Sequence, residues 1–233
     1  MISVICATRG RPHFMERVVK SARQAANGEI QFIWFIDEDD TESQLKAHEL
    51  EGRDKAPDMI VLPRGSVVLS ETINICYKLA KADIVHLIGD DVVYRTKNWD
   101  KVVEAAFEEC PDKILLCGAH DGGNKDLITH PFLHRNWIEA VGRLVPPYFR
   151  DCYVDTWLND VAKMLGRRRW LPIFIEHMHY SSGKSEFDQT AQERVGKISD
   201  FDESAIIFYE KREERMQEAH KLMEFTKNAT IGN

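Results

Sequence analysis

Ala82-Asp83-Ile84-Val85-His86-Leu87-Ile88-Gly89-Asp90-Asp91-Val92-Val93-Tyr94 is the stretch from which the fold is read. Its aliphatic, β-branched run has strand length, stops at a glycine and then sets two carboxylates side by side. In a partly dehydrated cleft, unit charges about 4 Å apart repel by roughly 4 kcal/mol at an effective dielectric of 20, against about 1 kcal/mol in water. A divalent cation held by carboxylate and phosphate oxygens answers that repulsion. The alternative is a fully hydrated Asp-Asp turn, where the penalty mostly vanishes.

Working outward from that strand, the preceding chain alternates strand and helix. Ile2-Ser3-Val4-Ile5-Cys6-Ala7 reads as a first buried strand, and Thr8-Arg9-Gly10-Arg11-Pro12 as a turn whose proline opens a helix to about Ala26. Backbone N–H groups, the helix dipole and the Arg9 and Arg11 guanidiniums make that turn suited to an anion. It lies at the carboxyl end of a strand, where open α/β sheets bind ligands. Ile30 to Ile36 is a second strand ending in Asp37-Glu38-Asp39-Asp40. These acids either cap the following helix or accept hydrogen bonds from a nucleobase or ribose. After a loop over Arg53–Pro57, Met59-Ile60-Val61-Leu62 forms a third strand, and Ser70 to Lys81 a helix. Such β-α alternation through residue 94 predicts a mostly parallel central sheet with helices on both faces. GxGxxG and GxxxxGK[ST] are absent from the strand-to-helix turns, which argues against a standard dinucleotide fold or a Walker-type NTPase.

Thr-Arg-Gly-Arg-Pro after strand one, an acidic cluster after strand two, Thr72-Ile73-Asn74 on a helix and then Ala-Asp-Ile-Val-His-Leu-Ile-Gly-Asp-Asp resemble the GT-A nucleotide-sugar glycosyltransferases, especially family 2. The resemblance implies a Rossmann-like α/β GT-A domain over residues 1–180, with a donor half to about 95 and an acceptor half after it. It implies Asp91 as ligand of Mn²⁺ or Mg²⁺, Asp90 near the donor ribose or sugar, Asp37 or Asp39 at the base, and Thr8 and Asn74 in donor binding. The family's Asp-x-Asp pattern is altered, with Gly89 where the first acid often stands.

In the second half, Trp99 to Glu109 reads as helix, Lys113 to Gly118 as strand, and Ala119 to Asn124 as a flexible link. Thr129-His130-Pro131-Phe132-Leu133-His134-Arg135 precedes a helix around Asn136–Gly142, and the segment from Pro146 to Leu158 opens another that runs to about Leu165. By the resemblance, Asp155 stands where the family places its general base, with Val154 in place of the usual Glu; as plain helix chemistry, Asp151 or Asp155 would be a cap. Arg167-Arg168-Arg169 is either a solvated helix end or a phosphate contact. The strand Trp170-Leu171-Pro172-Ile173-Phe174-Ile175 delivers His177 and His179, whose alternate spacing places both on one side and suits metal ligation. The resemblance puts a late histidine on the metal, His177 first and His179 next. Nitrogen among the ligands favours Mn²⁺ over Mg²⁺. Residues 181–202 read as a mobile lid carrying Lys184, able to exclude water from an activated sugar, and Glu203 to Lys227 as a C-terminal helix packing on the same domain.

Composition sets the limits. The 233 residues, 43% hydrophobic and 30% charged, suffice for one large α/β domain. A net charge of -7, from 31 Lys+Arg against 38 Asp+Glu, lacks the basic excess of a nonspecific nucleic-acid binder. Five cysteines without CxxC spacing fit reduced thiols in the cytoplasm and no structural zinc. The chain starts a strand at once, and no run reaches the roughly 18 apolar residues of a membrane span. The expectation is therefore a cytoplasmic metal-dependent hexosyltransferase moving a sugar from a nucleoside diphosphate donor, with UDP as its nucleotide, to an acceptor hydroxyl, with inversion. The acceptor is open between saccharide, small molecule, protein and modified DNA. A sugar-phosphate nucleotidyltransferase would share the sheet and metal but needs a longer Gly-rich loop than Thr8–Pro12, and a non-catalytic nucleotide-sugar or carbohydrate-binding module would lack the base.

Overall fold

Aliphatic and aromatic residues at alternate positions build the first two strands, β1 (Ile2–Thr8) and β2 (Ile30–Asp37). Ile2, Val4 and Cys6 join one hydrophobic cluster and Ile5 the other, while Phe32, Trp34 and Ile36 oppose Ile33 and Phe35. Both sheet faces are thus covered, as the run of fully buried positions demands. The structure, a computed structural model, describes residues 1–52, 55–123, 125–195 and 198–231.

Between the strands lie α1 (Pro12–Ala25) and α2 (Thr41–Glu51); then come β3 (Asp58–Leu62), α3 (Leu69–Tyr77), β4 (Ile84–Ile88) and β5 (Val92–Tyr94). The second half adds α4 (Trp99–Glu108), β6 (Leu116–His120), β7 (Pro131–His134), α5 (Arg135–Val141), α6 (Val154–Leu165) and β8 (Arg168–His177). A short 3₁₀ turn (Tyr180–Ser182) leads to α7 (Gln189–Val195), α8 (Ile198–Glu210) and α9 (Arg212–Ile231). The described strands form one sheet in the order β3-β2-β1-β4-β7-β6-β8-β5. β1 pairs parallel with β2 and β4, β2 with β3, and β6 with β8. β7 runs antiparallel between β4 and β6, and β5 antiparallel to β8. Side chains of α1, α2 and α4 cover one face, and those of α3, α5, α6 and α9 the other.

Four expectations need correction. Residues 181–202, read as a mobile loop, hold the 3₁₀ turn, α7 and the start of α8, and the C-terminal helix is two helices, α8 and α9. The physical reason is a local cap combined with a long-range anchor: Asp188 Oδ1 accepts from Ala191 N at 2.8 Å and so caps α7, and Thr190 Oγ1 donates to the distant Arg9 carbonyl at 2.9 Å. The Arg167–Arg169 run is not a solvated helix end, because β8 begins inside it. Arg167 meets Asp112 and Arg169 meets Glu109, while Arg168 donates to the Asp126 carbonyl at 2.5 Å. Neither Asp151 nor Asp155 stands at the α6 N-cap, where Tyr153 sits at φ 73° without a side-chain cap bond. Parts of two expected loops, Arg53, Asp54 and Asn124, and of the expected lid, Gly196 and Lys197, lie outside the described residues. No helix among the described residues is long and apolar enough to cross a membrane.

Candidate active site

At the carboxyl ends of β1 and β4 the strand termini bring the first group of predicted residues together. Thr8, the last residue of β1, donates its hydroxyl to Asp90 Oδ2 at 2.7 Å, and Arg11 Nη1 reaches Asp90 Oδ1 at 3.1 Å. Burial pushes the Asp90 carboxyl up to about 6; Asp91 adds to the rise, while Arg11 and the Thr8 hydroxyl oppose it. Arg11 also grips Asp188 through two bonds of 2.7 Å, so one guanidinium ties the sheet edge to the start of α7. Gly10 adopts φ +63°, which lets the turn bend back toward Thr190 and Asp40.

Arg9 turns the other way. Its Nη1 lies 2.9 Å from Asp37 Oδ2 and 2.5 Å from Asp39 Oδ1, and its Nη2 lies 2.9 Å from Asp39 Oδ2. Hydrogen bonding to Arg9 holds the exposed Asp39 carboxyl below its usual range. A carboxylate has about four lone-pair sites, so this clamp leaves Asp37 and Asp39 acceptor capacity for a base or ribose. Asp40, the fourth acid, caps α2 through Ser43 N at 3.2 Å.

Asp91 lies one residue beyond Asp90 and joins a different cluster. Its Oδ2 is 3.2 Å from His177 Nε2, and Asp91, His130 and His177 each offer a ligand atom within 4.8 Å of the others. A first coordination sphere of radius about 2.1 Å spaces its ligand atoms about 3–4 Å apart, so small side-chain movements would close the trio on a dication. Burial alone would raise Asp91, but the His177 hydrogen bond and the charges of His177, His130 and His179 hold it well below the usual carboxylate range. Burial, with His177 adding to it, pushes His130 down to about 4, which leaves its imidazole neutral and able to ligate at pH 7. A carboxylate with two imidazoles suits Mn²⁺ or Zn²⁺-like chemistry better than the all-oxygen preference of Mg²⁺.

Gly89 sits tightly against the Asp91 carboxylate. A Cβ there would fall 2.7 Å from Asp91 Oδ1 and 3.8 Å from His130 Nε2. A side chain at position 89 would push the Asp91 carboxylate aside, and His130, just before β7, stands beside that carboxylate as a candidate second ligand. Sequence reasoning quoted the Thr129–Arg135 segment and did not single out His130. Its position before Pro131 is a signal of extended backbone, but the partner that gives it meaning is reached only through the β4–β7 pairing. Behind it, Asp121 accepts from Thr129 Oγ1 at 2.7 Å and from Gly123 N at 2.8 Å, bracing the loop that carries the histidine. His86, from the opening stretch, is core: it is buried, stacked on Phe132 at 3.6 Å, and 3.0 Å from the Tyr94 hydroxyl.

His179 stays beside the trio, its ring centroid 5.2 Å from that of His177, while Lys184 and Asp155 have partners of their own. β8 ends at His177, so strand alternation does not carry on to His179, which caps the 3₁₀ turn through Ser181 N at 3.3 Å and lies 2.7 Å from Ser181 Oγ. Lys184 pairs with Glu176 at 3.0 Å, and Arg95 shares that carboxylate at 2.8 Å. Asp155 is half-buried in the first turn of α6, where its Oδ1 accepts from Thr156 N at 2.8 Å. One turn on, Asn159 bonds both backbone groups of Ile128, two residues before His130, and so ties α6 to the metal-side loop.

Asn74 departs most from expectation. Its Oδ1 accepts from Leu144 N at 3.1 Å and Val145 N at 3.2 Å, and its Nδ2 donates to the Val145 carbonyl at 2.8 Å. That amide is committed to the backbone of Leu144 and Val145. Asn74→Ala should cost about 1–3 kcal/mol, the penalty of stranding partly buried backbone groups. A lowered melting temperature with unchanged nucleotide affinity would show this structural role; a loss of nucleotide affinity at unchanged stability would refute it.

No protein-family model matches the sequence, and no curated protein matches it. Solved structures do. Mannosyltransferase PcManGT from Pyrobaculum calidifontis, in complex with GDP-Man and Mn²⁺, superposes with TM-score 0.55 at 9% identity, covering 76% of this chain and 56% of that one. The 1–349 portion of S. aureus TarS in complex with UDP-GlcNAc gives TM-score 0.55 at 12% identity, over 76% of this chain and 59% of that one. Its complex with UDP gives 0.51 at 11%, over 75% and 57%. This chain thus spans somewhat more than half the length of these relatives in structure. At such low identity the shared property is architecture: the chain has the GT-A-like fold of the nucleotide-sugar glycosyltransferases.

Proposed function

We propose that the chain is a metal-dependent glycosyltransferase of the hexosyltransferase type, moving a sugar from a nucleoside diphosphate donor, a UDP-sugar in the first instance, to an acceptor hydroxyl with inversion. The observation that carries this reading is the meeting of Asp91, His130 and His177 beside the Arg-Gly-Arg turn, at the strand ends of a GT-A-like sheet. Asp91, His130 and His177 would hold Mn²⁺, which when bound supplies positive charge to offset that growing on the leaving diphosphate. Asp37 and Asp39 accept from the base and ribose, Arg9 and Lys184 add positive charge, and Asp155 takes the proton of the attacking hydroxyl. The segment around α7, latched to Arg9 and Arg11, keeps water from the activated sugar. The relatives' bound GDP-Man with Mn²⁺ and UDP-GlcNAc support a donor of this class. The free cysteines support a reducing, cytoplasmic setting.

The test is a melting-temperature screen of UDP- and GDP-sugars with and without Mn²⁺. A ligand at about a hundredfold its Kd stabilises by about 2.7 kcal/mol, which for a chain of this size raises Tm by roughly 5–10 °C. A shift that needs both metal and one nucleotide sugar supports the reading, and slow release of free sugar then separates an enzyme from a binding module. No metal-dependent shift with any donor would sink it.

A further inference from the structure

Among the described residues, Arg17 carries two buried donors, Nε and Nη2, without a hydrogen-bond partner. Leaving donors of a charged group unsatisfied is costly, so their setting asks for an acceptor. Two contacts fix where they lie. Near the start of α1, Arg11 reaches Asp90, and further along the helix Ser21 Oγ accepts from Tyr94 N at 3.2 Å. Ten residues of helix rise about 15 Å and four residues of strand about 13 Å, so α1 runs alongside the stretch from Asp90 to Tyr94. Positions 14, 17 and 21 share one helix face by their spacing of three and four. Arg17 therefore flanks the chain just beyond Asp91. Its guanidinium sits 4.2 Å from the Phe14 ring centroid, which limits its freedom. Burial draws its pKa down, and the charges of Asp91 and then Asp90 oppose that shift. Those acids have nearer partners: Thr8 and Arg11 for Asp90, His177 for Asp91.

We propose that Arg17 binds the sugar-bearing phosphate of the nucleoside diphosphate donor. This deepens the glycosyltransferase reading and rests on it. A donor with its base at Asp37 and Asp39, beyond β2, and its metal at Asp91, beyond β4, crosses the sheet edge so that its outer phosphate comes to the metal side. There, a guanidinium with unused donors offers the planar geometry that phosphate oxygens accept. Charge-assisted bonds of this kind discriminate between a diphosphate and a monophosphate, because the monophosphate places no group at that point.

Calorimetry with UDP, UMP, GDP and GMP at saturating Mn²⁺ tests the assignment on wild type, Arg17→Gln and Arg17→Lys. Arg17→Gln should weaken whichever diphosphate the wild type binds by about 10–100-fold, and the corresponding monophosphate by less than about twofold. Arg17→Lys, which keeps the charge and loses the planar fork, should weaken the diphosphate by about 10-fold and carries the test if the glutamine variant fails to fold. Unchanged diphosphate affinity, or an equal loss for mono- and diphosphate, overturns the assignment while the function stands. A wild-type protein that binds neither diphosphate with Mn²⁺ removes the glycosyltransferase reading and this assignment together.

Discussion

Replacing Asp91 by alanine is expected to abolish Mn²⁺-dependent nucleotide binding, a loss of more than about 100-fold in metal affinity. Asp91 is the carboxylate of the trio, and its removal leaves only the two imidazoles, His130 and His177, with no anionic side chain to offset a dication. Calorimetry of Mn²⁺ alone, then of Mn²⁺ with the nucleotide, separates the two steps. The variant should still fold, since Asp90 keeps its bonds to Thr8 and Arg11 and so holds the sheet edge. Metal affinity within about twofold of wild type would show that the trio is not the metal centre.

Asp155→Asn is expected to slow transfer by about 10²–10⁴-fold, the usual range for general-base assistance, with donor and metal affinity nearly unchanged. The reason is position. Asp155 opens α6, and Asn159 on the next turn fastens that helix to Ile128, two residues before His130. Asparagine keeps the size and the acceptor oxygen that meets Thr156 N, which guards the helix start. Single-turnover transfer is the decisive measurement, because a fall in donor affinity alone would raise KM and leave the chemical step intact. A normal single-turnover rate would remove Asp155 from the mechanism.

How much was legible in the sequence depended on the range of the interactions. β1, β2, β3 and β4 announce themselves through local runs of β-branched and aromatic residues, and the parallel order follows from the helices between them. Asp90 and Asp91 were visible for the same reason, being neighbours at the end of such a run. β5 and β7 are three and four residues long and take their identity from partners in β8, β4 and β6, so the chain around them carries little signal. His130 carries no local signal as a candidate ligand for that reason. Asn74 misled because an amide on a helix looks alike whether it serves a ligand or a backbone loop; only the position of Leu144 and Val145 decides. The stretch after His179 read as mobile because its own residues offer little core, while its order comes from arginines far back at positions 9, 11 and 64.

Gly89 bears on folding as much as on coordination. An Asp-x-Asp site is nearly complete in a few consecutive residues, even in an open chain, whereas here the three candidate ligands come from separate segments that meet only when β4, β7 and β8 have assembled. A dication seated among them would bind the assembled sheet and not the open chain, acting as a rivet through its middle. Chelators would then loosen the whole fold as well as silence its chemistry.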